Sequence, residues 1–143
     1  MKRALVVAGA LVLGISAVAA QDPIAARKAL MKETGKQAGA GAAMLRGEAP
    51  FDLAKAKAIL AAFQDAAVKA PGLFPDSAKT GEDTAALPKI WESKSDFDAK
   101  FVKFGADAKS AEASVTDLDS FKTAFSAATK NCGGCHELYR LKK

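Results

Sequence analysis

The residues with the most distinctive chemistry in this chain lie close together near its C-terminal end, as Cys132, Cys135 and His136. Two thiols separated by two residues and followed directly by an imidazole have the spacing of a c-type haem attachment site. The sequence contains no other cysteine or histidine. We therefore expect one haem c, attached through two thioethers at Cys132 and Cys135, with His136 as an axial iron ligand.

Three other uses of this segment compete with haem attachment. A structural zinc site needs four ligands, and the chain has no second Cys/His pair to supply them. Thioredoxin-like chemistry requires a βαβ scaffold, but no run of β-branched strand residues is present. A disulfide that closed so short a loop would add little stability. Haem attachment remains the favoured interpretation.

The iron's second axial position cannot take another imidazole, so methionine, lysine, a terminal amine, water or no ligand remain. Met31 and Met44 are the methionines after the first residue. Their separation of about 20 Å along and about 220° around one helix allows at most one to ligate. Met31 and His136 would lie at a similar height in antiparallel neighbouring helices, so we expect Met31 to be the ligand. Ordinary core packing is its alternative role.

Arg27 lies one helical turn before Met31 and shares its face. Its forked guanidinium suits a carboxylate, so we expect Arg27 to bind a haem propionate rather than form a solvated charge. Gly35, one turn after Met31, would leave room beside the ring. Gly133 and Gly134 each cost about 1 kcal/mol of helix propensity relative to alanine. They are expected to let the porphyrin approach the backbone, or else to mark a fraying helix end.

Four segments have the three-and-four spacing of apolar residues that is typical of amphipathic helices. The first is expected from about Pro23, with Asp22 as its N-cap, to Gly47. Asp52 is expected to cap the second, which stops at residues 71–72.

Ser95 is expected to cap the third segment, and Thr116 to open the fourth. The apolar stripe of the fourth segment consists of Leu118, Phe121, Phe125, Ala128, Cys132, Cys135 and Tyr139. Both cysteines therefore fall on the stripe that packs inward. A haem bonded to them would enter the core.

Short breaks between most segments predict an all-α fold, an antiparallel up-down-up-down four-helix bundle with covalently bound haem near the C-terminal end. The first and fourth helices would lie side by side, with a cavity for the cofactor between them. Residues 71–90 form a longer connection, expected to be a surface loop anchored by packed side chains. The expected anchors are Leu73, Phe74, Ile90 and Trp91.

Residues 1–20 have the features of a secretory signal: Lys2 and Arg3 precede an apolar run and small residues, with cleavage expected after Ala20. The run is short for a membrane-spanning helix. Residues 21–143 would then form the four-helix-bundle domain, in the periplasm of a Gram-negative bacterium and free of the membrane after processing. Loss of two cations lowers the formal net charge from +5 to +3, too mild to indicate nucleic acid.

Several segments resemble the class II cytochromes c. They are Arg27 to Lys32, Gly47 to Asp52, Leu73 to Ser77, Pro88 to Trp91 and Cys132 to Arg140. The resemblance covers the whole predicted domain. It implies a four-helix bundle with haem on both cysteines and with the following histidine as proximal ligand, and a bundle that can form a homodimer.

Two branches of that family imply different functions. In low-spin cytochromes of the c-556 type, a methionine matching Met31 binds the iron and the protein carries electrons. In cytochromes c-prime the iron is usually five-coordinate and high-spin and admits nitric oxide or carbon monoxide. The segments around Met31 and Phe74 are more similar to the first branch, although some cytochromes c-prime have a methionine that does not ligate.

We therefore expect a non-enzymatic periplasmic carrier of one electron, with His136 and Met31 on the iron and redox proteins as partners. The alternative is a five-coordinate cytochrome c-prime that binds diatomic gases. Basic residues at the haem end, Arg140, Lys142 and Lys143, would steer an acidic partner unless they form only a solvated tail. A peroxidase is disfavoured because the chain has no second histidine to act as a distal base.

Overall fold

The computed structural model describes residues 22–81 and 83–142. These form five α-helices: α1 (Pro23–Leu45), α2 (Leu53–Lys69), α3 (Lys89–Glu92), α4 (Lys94–Ser114) and α5 (Leu118–Tyr139). The four long ones build the predicted up-down-up-down bundle, and α3 is a single turn before α4. The predicted signal peptide, residues 1–20, lies outside the described residues.

The first two helices begin at their predicted capping residues. Asp22 accepts hydrogen bonds from two backbone N–H groups of the first turn of α1, which has Pro23 at its first position. Asp52 accepts one from the first turn of α2, at 2.8 Å. α1 ends two residues before the predicted Gly47. That glycine adopts φ of 72°, a left-handed conformation that turns the chain toward α2.

The starts of α4 and α5 differ from the prediction. Ser95 lies inside the first turn of α4, and Ser93, with φ of −128° and ψ of 48°, forms the break before it. Thr116 precedes the true N-cap of α5, Asp117, which forms a reciprocal capping box with Ser120 through hydrogen bonds of 2.8 and 3.0 Å. The box was missed because a serine replaces the usual Glu or Gln. The Asp117 carboxylate accepts hydrogen bonds from the backbone N–H and the hydroxyl of Ser120, and these lower its pKa.

The connection between α2 and α4 is anchored as predicted but is more regular than a loop. It contains two 3₁₀ turns, Ala70–Leu73 and Asp76–Ala78, followed by α3. The Phe74 ring is buried, and the Trp91 indole N–H contacts the carbonyl oxygens of Phe74 and the next residue at 3.1 and 3.2 Å. Single turns contain too few residues to display a period, so the sequence pattern did not predict them.

Aromatic rings fill the interior at the end of the bundle where α5 finishes. Phe97 packs edge-to-face against Phe74, Phe101 and Tyr139, with ring centroids 4.8, 5.2 and 5.2 Å apart. α4 packs closely against both α2 and α5, whereas α1 contacts α5 at few positions. The side-by-side contact predicted for the first and last helices is therefore partial. Among the described residues, no helix is long and apolar enough to cross a membrane.

Candidate haem site

A cavity of about 340 Å³ lies between α1, α4, α5 and the connection. Its wall is largely apolar and includes the rings of the aromatic cluster. All the residues predicted for the site line it, namely Arg27, Met31, Cys132, Cys135 and His136. The fold thus brings the first turns of α1 to the last turns of α5, as the predicted antiparallel arrangement requires.

The Cys132, Cys135 and His136 side chains are half-buried along one cavity wall. Neither cysteine forms a disulfide within the described part of the chain. Burial raises the pKa of both thiols, and the Lys100 ammonium opposes this rise at Cys135. Burial and the nearby Arg140 lower the pKa of the His136 imidazole, which favours its neutral, metal-binding form. Two thiols and a neutral imidazole on one apolar cavity fit a covalently attached haem.

The two candidate methionines lie in different surroundings. Met31 is half-buried and lines the cavity. Met44 is only 3 % exposed and belongs to the hydrophobic core. Met31 is therefore the methionine positioned near the haem site, and its ligation of the iron stays a prediction.

Arg27 is buried, with 4 % of its surface exposed, so the solvated-charge alternative is wrong. Its guanidinium donates hydrogen bonds to the backbone carbonyls of Leu73 and Ala78, at 3.4 and 3.0 Å, and to the Thr84 hydroxyl at 2.6 Å. Burial lowers the pKa of this group, against an opposing effect of Asp22. These contacts tie α1 to the connection.

The guanidinium of Arg27 also packs on two aromatic rings of the connection. It lies 5.0 Å from the Phe74 ring centroid and 5.9 Å from that of Trp91. This anchoring role was not predicted from the sequence, because two of the three acceptors are backbone carbonyls, which carry no sequence signature. Since Arg27 lines the cavity as well, its pairing with a propionate stays a prediction.

The glycines singled out in the sequence have different surroundings. Gly35 lines the cavity, and a Cβ built there would meet nothing within 4 Å, in agreement with its expected role of leaving space. Gly133 and Gly134 are exposed, and neither lines the cavity, so their expected contact with the porphyrin finds no support. α5 continues past them to Tyr139, so the fraying interpretation is wrong.

Backbone pairing completes one wall of the cavity. Residues 85–87 and 139–141 form an antiparallel bridge with two hydrogen bonds, of 3.0 and 2.8 Å. Ala85 and Ala86 line the cavity. This part of the connection is held to α1 through Arg27 on one side and to the end of α5 on the other. Two segments of three residues gave no strand signal in the sequence.

The fold and the site together define a four-helix bundle that holds haem c covalently. A family model described as Cytochrome C' matches residues 22–140. The chain therefore belongs to the cytochrome c' family, which consists of non-enzymatic, periplasmic haem proteins. Cys132 and Cys135 are the attachment residues of its haem c.

Three relatives illustrate the range of this family. Cytochrome c' of Rhodopseudomonas palustris is 47% identical over 142 residues, covering 99% of this chain and 97% of the relative. A solved structure of cytochrome c' from that organism superimposes with a TM-score of 0.84, over 87% of this chain and 99% of the other. Cytochrome c-556 of the same organism is 38% identical over 148 residues, covering 100% of this chain and 99% of the relative.

A third relative is known in a complex with a gas. The solved structure is the nitric oxide complex of a mutant of cytochrome c prime from Alcaligenes xylosoxidans, with a leucine replaced by alanine. It is 26% identical to this chain, with a TM-score of 0.75 and coverage of 85% and 95% of the two chains. Members of the family thus bind nitric oxide.

Proposed function

We propose that this protein holds a high-spin, five-coordinate haem and binds nitric oxide or carbon monoxide. The observation that carries the proposal is the 47% identity to a cytochrome c' over nearly the whole of both chains, against 38% for the c-556 relative. The comparisons therefore favour the alternative function from the sequence analysis over the first expectation, the His/Met electron carrier.

The residues around the cavity support gas binding. When bound, the haem would supply an iron able to take a diatomic gas and a one-electron couple, and Cys132, Cys135 and His136 would hold it. His136 is the one imidazole of the chain, and burial lowers its pKa, which favours the neutral form that binds a metal. The apolar wall excludes water and admits a small uncharged molecule. Met31 and Gly35 face the cavity from α1 without filling it.

The second candidate function is electron transfer through a low-spin haem with Met31 and His136 as axial ligands. It is supported by the position of Met31 at the cavity, together with several c-556 relatives. Methionine and histidine ligation raises the reduction potential. Electron exchange with redox proteins would then be the main activity.

The absorption spectrum of the purified holoprotein distinguishes the two functions. We expect high-spin bands in both oxidation states and an immediate change when carbon monoxide is added to the reduced protein. Met31→Leu should leave these spectra high-spin, and Met44→Leu, a change of the same kind in the core, serves as the control. A low-spin spectrum that becomes high-spin only in Met31→Leu would replace the first proposal with the second.

We also propose that residues 1–20 direct export of this protein and are then removed. The family match begins at residue 22, which supports export directed by residues 1–20 and their removal afterwards. Mass measurement of the native holoprotein checks this: a chain that begins at residue 21 and carries one haem is expected.

A further inference from the structure

A second groove, here called the α4–α5 groove, lies on the surface between these two helices and has a volume of about 870 Å³. It is distinct from the haem cavity but shares three wall residues with it, Lys100, Asn131 and Cys135. The floor consists largely of small side chains, among them Ser110, Ala111, Ala124, Ala127 and Gly134. A partner surface can therefore approach the backbone of both helices closely.

The charged residues of the α4–α5 groove give it a positive potential. Three lysines line it, Lys100, Lys103 and Lys130, against one acid, Asp107. The Asp107 carboxylate already accepts hydrogen bonds from Lys103, at 2.5 Å, and from Asn131, at 2.8 Å. Lys100 and Lys130 have no ion-pair partner within the described part of the chain. The free charges of the groove are thus positive, which favours an acidic partner.

Cys135 connects the groove to the cofactor. Its sulfur bonds to a haem vinyl carbon in the attached protein, and the same side chain forms part of the groove wall. Because Cys135 lines both the haem cavity and the groove, its thioether would bring the edge of the cofactor to the groove wall. Lys100 also lines both the haem cavity and the groove, so its positive charge belongs to the same stretch of wall as Cys135.

We propose that the α4–α5 groove is the docking surface for an acidic redox partner protein, which exchanges one electron with the haem at the Cys135 edge. The proposal depends on thioether attachment and is independent of whether the iron is high-spin or low-spin. It also assigns docking to the side of the bundle rather than to the basic residues at its end, such as Arg140 and Lys142.

Charge reversal in the groove tests the proposal with a small anionic oxidant, hexacyanoferrate(III). One electron leaves the ferrous haem and reduces this reagent to hexacyanoferrate(II). Lys130→Glu and Lys103→Glu should slow the reaction roughly three- to tenfold at low ionic strength, and Lys130→Gln should slow it less. The cation tris(phenanthroline)cobalt(III), which is reduced to cobalt(II), should react faster with the same variants.

Lys109→Glu on α4 and Lys122→Glu on α5 are the matched controls, because both residues are exposed and neither lines the groove. They change the net charge equally, so we expect much smaller effects. Equal slowing by control and groove variants would mean that only net charge matters and would overturn the proposal. Unchanged absorption spectra in every variant would show that the haem site itself is intact, whatever its spin state.

A binding measurement without electron transfer gives the second test. Hexacyanochromate(III) is a redox-inert, paramagnetic anion that broadens the NMR signals of nearby amides. Broadening confined to residues 100–107 and 127–134 is expected in the wild-type holoprotein and should be lost in Lys130→Glu. Broadening centred on Arg140 instead would assign docking to the C-terminal end and refute the groove.

Discussion

Arg27 is a buried cation whose partners are backbone oxygens, a hydroxyl and two rings rather than a carboxylate. Its three hydrogen bonds and its packing on Phe74 and Trp91 replace the hydration that burial removes. Because these partners all belong to the connection, one side chain fixes a wall of the haem cavity relative to α1. Met31 lies one turn further along the same helix and lines the same cavity.

Replacement of Arg27 by Gln should lower the free energy of unfolding of the holoprotein by roughly 2–3 kcal/mol, since hydrogen bonds from a charged donor are lost. Urea denaturation followed by circular dichroism measures this. Lys28→Gln is the control on the next residue: its exposed ion pair with Asp83, at 3.3 Å, contributes less than about 1 kcal/mol. Equal losses in the two variants would show that the Arg27 contacts contribute little.

At the scale of elements, the packing of α1 on the bundle depends on a small residue. Gly41 is buried on α1 opposite Phe125 of α5, and a Cβ built at Gly41 would overlap the Phe125 ring. This is one of the few places where the two helices meet. At Gly41 the two helices touch, whereas the haem cavity separates the start of α1 from the end of α5.

Gly41→Ala should therefore destabilise the protein by about 1–3 kcal/mol, because the added methyl group must displace the ring. Gly39→Ala lies on the same helix, and its Cβ would meet nothing within 4 Å. That control should gain up to about 1 kcal/mol from helix propensity. Thermal unfolding of the two holoproteins compares them. A stabilising Gly41→Ala would show that Phe125 moves aside easily.

The sequence predicted the elements that repeat a pattern and missed those that do not. Apolar spacing placed Cys132 and Cys135 on the inward stripe of α5, and the helical rise placed Met31 at a similar height to His136. The 3₁₀ turns, the bridge at residues 85–87 and the contacts of Arg27 were missed. These depend on backbone groups brought together from distant parts of the chain, which side-chain periodicity does not encode.

At the scale of the whole molecule, the bundle is packed unevenly. α2, α4 and α5 share a continuous aromatic interior that includes Phe63, Phe104 and Phe125. α1 and the connection enclose the haem cavity against this group of helices. The haem would therefore fill the space between α1 and α5, where the two helices contact each other at few positions. We expect its attachment to stabilise α1 more than the other long helices.

A variant with both cysteines replaced by serine, and hence without attached haem, should have a lower melting temperature than the holoprotein, because a ligand bound to the native state stabilises it. Hydrogen exchange should increase most in residues 27–38 of α1. Amides of α2 and α4 that face one another should remain comparatively protected. Mass spectrometry of exchange measures both regions. A uniform increase over all helices would contradict the uneven packing described above.

The bridge between residues 85–87 and 139–141 joins segments more than fifty positions apart, with the hairpin of α4 and α5 between them. Contacts between neighbouring residues form at a lower entropic cost than contacts between distant ones. We therefore expect the helices of the hairpin to form before this bridge. The cavity wall that Ala85 and Ala86 contribute would then be completed late in folding.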